Sequence, residues 1–136
     1  MIGMNAGLVI LVLKVAVIAV TLLWIGSLIA LAYGKTRLHG RINIAFFALT
    51  LAALIGLEVI VRIISPGIFD NYQHHTEYAM LVHLCFSVPS AVLLFVMLFS
   101  GLNHKRVFHI ATGILFSVCW SGTFVTGIFL LRHEWP

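Results

Sequence analysis

The sequence predicts an all-α integral membrane protein, a four-helix transmembrane bundle built as one domain over residues 1–136. Three observations carry that prediction. Apolar residues make up 62% of the chain and charged residues only 9%, against about half and about a quarter in soluble domains. Mean hydropathy is +1.13. The apolar residues also fall into four long stretches separated by short segments rich in Gly, Pro, Ser and charge. A water-soluble fold of this size cannot hide so much apolar surface, whereas lipid serves as its solvent. Strands are a poor alternative, because the stretches lack strict alternation and an open sheet cannot satisfy its backbone in lipid.

The first span is expected over about 7–33, ending at Gly34-Lys35-Thr36-Arg37. Its apolar run is too long for a signal-peptide core and has no basic start, so it reads as a retained helix. The second, about 40–64, stops at Ser65-Pro66-Gly67, a strong breaker. A polar loop over 70–77 leads to the third span, about 78–99, which carries Pro89 and closes at Ser100-Gly101-Leu102-Asn103. Proline removes a backbone donor there and is expected to kink the helix. The fourth span runs over about 107–131, with Trp120, Thr123 and Thr126-Gly127 as polar handles for packing. The residues show neither an internal repeat nor a low-complexity tract.

The net charge of +4 reads as topology rather than as nucleic-acid binding. Lys35, Arg37 and Arg41 follow the first span, and Lys105 and Arg106 precede the fourth, all toward one side. The other side holds Arg62, Arg132 and all four acids: Glu58, Asp70, Glu77 and Glu134. The positive-inside rule then puts both termini outside and both short basic loops in the cytoplasm. Cys85 and Cys119 fall inside apolar spans and do not form a disulfide framework.

Seven histidines are the candidates for chemistry. His39, His104 and His109 fall at the basic rim; His74, His75, His83 and His133 fall toward the other. Imidazole ligates haem iron, copper and zinc well. His39 and His109 sit at similar depth on two helices, as axial ligands of one haem would, with Gly113 and Ser117 making a small-residue face behind His109. They also suit a headgroup region without any ligand. His83, about five residues inside its span, needs a partner. With Met80 one turn earlier, and with His74, His75 and Glu77, it could form a soft copper site; alternatively it is a core histidine bonded to a carbonyl or to Ser87. Glu58 and Arg62 are spaced i, i+4 as a structural ion pair kept inside the bundle, with Lys14 of the first span as a further partner. No nucleotide loop, nucleophile elbow, His-Glu-x-x-His or tandem Cys-x-x-Cys is present, so no catalytic residue is expected and the chain is not expected to be an enzyme by itself.

Over about residues 33–132 the chain resembles the small bacterial membrane proteins of domain-of-unknown-function family 420, the YozB-like and CtaM-like proteins. The residues that carry the resemblance are the basic loop with His39, Leu81-Val82-His83 leading to Val88-Pro89, Asn103-His104-Lys105-Arg106-Val107-Phe108-His109, and Trp120 to Thr126-Gly127. The family usually has a methionine shortly after the first histidine, where Asn43 stands here, and a more aromatic ending to the fourth span. The resemblance implies an accessory or assembly protein of a respiratory haem-copper oxidase, handling haem or copper through His39, His83, His104 and His109. Two rival expectations stand beside it: a cytochrome b-type electron-transfer subunit with haem between His39 and His109, and a cofactor-free structural subunit of a larger membrane complex or homo-oligomer.

Overall fold

The computed structural model describes the backbone of residues 5–131, and their side chains outside 70–77. It is all-helical over these residues: α1 (Ala6–Ala32), α2 (Thr36–Val59, continued by a π-helical turn Ile60–Ile64), α3 (Asp70–Leu102) and α4 (Arg106–Val125, continued by a π-helical turn Thr126–Leu130). Four segments, Ala6–Ala32, Thr36–Ile64, Tyr78–Leu102 and Arg106–Leu130, are long and apolar enough to cross a membrane.

Local chemistry sets the boundaries. Asn5 caps α1, its side-chain oxygen accepting from Leu8 N at 2.7 Å. Gly34 ends the helix in the left-handed region at φ 72°. Because that turn is so short, α2 begins at Thr36 rather than near residue 40, and His39 lies within its first turns. Helix α3 also departs from expectation at both ends. Its backbone is already helical at Asp70, where the sequence suggests a loop, and it runs on through Ser100-Gly101 to Leu102. Polarity alone does not break a helix; only at Asn103-His104 does the chain turn, with His104 at φ 55°.

The helices pair as two antiparallel hairpins, α1–α2 and α3–α4, joined less closely through α2 and α3. Between them lies a small core of Val20, Phe46, Leu94, Phe116 and Trp120, one or two residues from each helix. Phe46 meets Trp120 edge-on at 5.1 Å between centroids and Phe116 at 6.0 Å, the geometry aromatic quadrupoles favour. Outside this core the surface is apolar, with Ile63, Val107 and Phe129 at least 74% exposed. Such a surface in water would be an aggregation liability, and in a bilayer it is solvated. Hydroxyls on α4 are satisfied within the helix: Thr112, Ser117, Ser121, Thr123 and Thr126 each donate to the carbonyl four residues back.

A repeat that the residues conceal is visible in the backbone. In the first turn Tyr33 N bonds Ile29 O, Gly34 N bonds Leu31 O, Lys35 N bonds Ala30 O, Thr36 N bonds Gly34 O and His39 N bonds Lys35 O. In the second turn Asn103, His104, Lys105, Arg106 and His109 make the same five bonds in the same order, to Phe99, Gly101, Ser100, His104 and Lys105. The sequences diverge at most of these positions, but Lys35 matches Lys105 and His39 matches His109.

Candidate functional site

The duplicated turn brings His39 and His109 to the same end of the bundle. Both are half-buried. Each has its Nδ1 against a carbonyl of its own hairpin: His39 against Ser27 O at 3.0 Å and His109 against Met97 O at 3.1 Å. A carbonyl only accepts, so in both rings Nδ1 carries the proton and Nε2 carries the lone pair.

What happens at Nε2 separates the two. Fully buried Ser27 donates to Asn43 Oδ1 at 2.5 Å, and Asn43 Nδ2 donates to His39 Nε2 at 3.1 Å. Ser27 Oγ also lies 2.8 Å from His39 Nδ1. This ring of hydrogen bonds is closed, and the lone pair of His39 is used within it. At His109 the fully buried Ser100 lies 3.0 Å from Nδ1 and itself donates to Met97 O. Four residues on stands Gly113 rather than an asparagine, and no described residue bonds His109 Nε2. Gly101 makes room for the ring: a Cβ there would lie 3.1 Å from His109 Cε1. His104 occupies the left-handed turn position that Gly34 fills in the first hairpin, with its side chain exposed.

His83 is held in a related way at the other end. Its Nδ1 lies 2.9 Å from Thr126 Oγ1, whose proton goes to Gly122 O at 2.7 Å. His83 therefore donates, and its partner is on the facing helix rather than being Ser87. A Cβ on Gly127 would lie 3.1 Å from its Cε1. Met80 sits on α3 one turn before it, while the side chains of His74, His75 and Glu77, as well as all of His133, lie outside the described residues. Among the described residues, no three His, Cys, Asp or Glu side chains gather as a metal-binding group.

Two charged features fall elsewhere than the sequence suggests. Glu58 and Arg62 do pair, at 2.5 Å, but on the outer face of α2, with side chains 62% and 76% exposed. They line a shallow hollow with Leu54, Ile55, Val59 and Ile63. Lys14 is not with them: its ammonium donates to Ile128 O at 2.8 Å and Leu131 O at 2.5 Å. These carbonyls belong to the end of the α4 segment, where a helix is short of donors and bears partial negative charge. The sequence signals Lys14 as needing a partner but carries no sign that a helix end supplies it. Ser27, Ser100, Met97, Gly101 and Thr126 are equally silent, because small and apolar residues are abundant in every span.

No family model, curated protein or solved structure matches the chain.

Proposed function

We propose that this chain is a multi-pass protein of the bacterial inner membrane, with both termini outside, that serves a respiratory haem-copper oxidase as an assembly factor or accessory subunit. In this reading it presents imidazole nitrogen to haem iron or copper and catalyses no reaction itself. The observation that carries the reading is His109: Nδ1 is anchored to Met97 O, and Nε2 has no partner among the described residues. A ring oriented by its far nitrogen is how proteins prepare histidine for a metal. The oxidase itself enters through the family resemblance.

The donor set fits a single-imidazole site better than a haem clamped between two histidines. His109 would hold the metal, with His104 the nearest further imidazole in sequence on the same turn. His39 could join only after releasing Asn43, which disfavours the cytochrome b-type reading. At the other end, His83 Nε2 with the Met80 thioether is a pair suited to copper(I). The structural-subunit reading has its own support in the closed Ser27–His39–Asn43 ring, where an imidazole acts purely as a fastener between helices.

The test is spectroscopic. Purified protein loaded with haem should show a Soret band that His109→Ala abolishes and His39→Ala largely keeps. Copper content should fall in His83→Ala if the second site operates. A protein that takes up neither metal under these conditions leaves the structural reading standing. For orientation, a cysteine at Asn71 should react with an impermeant thiol reagent in intact cells.

A further inference from the structure

The end of the bundle that carries the two turns has a charge its own structure does not answer. Lys35, Arg37, Arg41, His104, Lys105 and Arg106 are all exposed there. Among the described side chains the one acid, Glu58, lies toward the opposite end of α2. Sidedness of insertion accounts for cations on this side, but not for their placement at the helix starts. Helix α2 has Lys35 as its N-cap and α4 has Lys105; neither helix has a capping side chain, and neither has an acid in its first turn. Arg37 and Arg106 fall in those first turns. This inverts ordinary helix chemistry, in which Ser, Thr, Asp or Asn caps the start and negative charge complements it. The lysine cap occurs twice, at the equivalent positions Lys35 and Lys105 of two turns with the same hydrogen bonds, with the arginines offset by one position.

We propose that this end is an interaction surface for anionic phospholipid, with one phosphate headgroup received at each turn by the cap lysine and the neighbouring arginine. Lipid, rather than a soluble anion, is the partner because each turn directly closes membrane-long apolar helices, so the headgroup layer lies at its level. The lysines take the place of an acidic cap: the phosphate supplies the negative charge that the sequence omits. The proposal is independent of any metal at His109.

The experiment uses the full chain in mild detergent. Phosphatidylglycerol or phosphatidylcholine is titrated in, and bound lipid is counted by native mass spectrometry. Phosphatidylglycerol should bind in preference, up to two molecules per chain, and the preference should shrink as salt is raised. Each of Lys35→Gln and Lys105→Gln should weaken that binding about fivefold and together remove the second tightly bound lipid. Lys35→Asp with Lys105→Asp gives each helix a good cap, so this variant should unfold no more easily than the parent while losing the preference. Equal binding of the two lipids would overturn the proposal, as would a preference that survives both double variants. So would inorganic phosphate competing away the lipid at low millimolar concentration, which would make the surface a site for the free anion.

Discussion

The two hairpins make the same turn but fasten it by different means. In α1–α2 the fastening is a closed polar ring, Ser27 to Asn43 to His39 and back to the Ser27 carbonyl. Three glycines within the helices of that hairpin, Gly26, Gly40 and Gly56, have nothing within 4 Å of where a Cβ would stand. In α3–α4 the hydrogen bonds from His109 to Met97 O, from His83 to Thr126 Oγ1 and between Ser90 and Thr123 are joined by fastening through shape. Gly101 receives the His109 ring, Gly113 the end of Met97, Gly122 the Phe86 ring and Gly127 the His83 ring. The histidines cross reciprocally, α4 giving His109 to a glycine of α3 and α3 giving His83 to a glycine of the α4 segment. In the first hairpin Asn43 uses the Nε2 of His39, whereas in the second Gly113 stands at the equivalent place and no described residue bonds the Nε2 of His109. Under the proposed function, that difference rather than the presence of histidine points to the second hairpin as the one that would bind a ligand.

The contrast between the hairpins has its largest consequence in ligand uptake. Carrying the asparagine of the first hairpin into the second, as Gly113→Asn, should close His109 Nε2 and abolish the haem band as completely as His109→Ala does. A flexible Met97 methyl is the near neighbour at 3.2 Å, so the new side chain has room once it moves. An unchanged spectrum would refute the role assigned to that lone pair.

Next in size is the packing lock. Gly122→Ala places a methyl inside the Phe86 ring position and should destabilise the fold by about 1–3 kcal/mol, measured by unfolding in mixed detergent micelles. Asn43→Ala comes next. It strands Ser27 and His39 and should cost about 1 kcal/mol, since polar contacts between membrane helices average below their value in an apolar solvent. If Asn43→Ala instead proved neutral, the first hairpin would not depend on its ring. Smallest, and opposite in sign, are Gly26→Ala and Gly56→Ala. Both should stabilise by a few tenths to about 1 kcal/mol through helix propensity alone, where Gly101→Ala or Gly127→Ala should destabilise. Four glycine substitutions with two signs thus sort the hairpins by one assay.

Much of this molecule is legible in its residues. Composition and segment length determined four membrane-length helices, because the free energy of apolar surface depends on residue content and not on arrangement. Breakers placed most of the boundaries, and the tally of cations gave the bundle two unlike ends. Polarity misleads at residues 70–77, which suggest a loop and are helical, and glycine misleads at Ser100-Gly101, which suggests a turn though α3 continues through it. Tertiary structure alone decided the rest. That Lys14 would satisfy the last carbonyls of the α4 segment, that Glu58 and Arg62 would pair on an outer face, and that one turn would occur twice all depend on which helices meet and in what register. The same holds for the two histidines: each residue type is plain in the sequence, but the state of Nε2 is set by the single side chain four residues on and by the carbonyl that the facing helix brings to Nδ1. A hydrogen bond is a matter of ångströms and direction, and those exist only once the helices have packed.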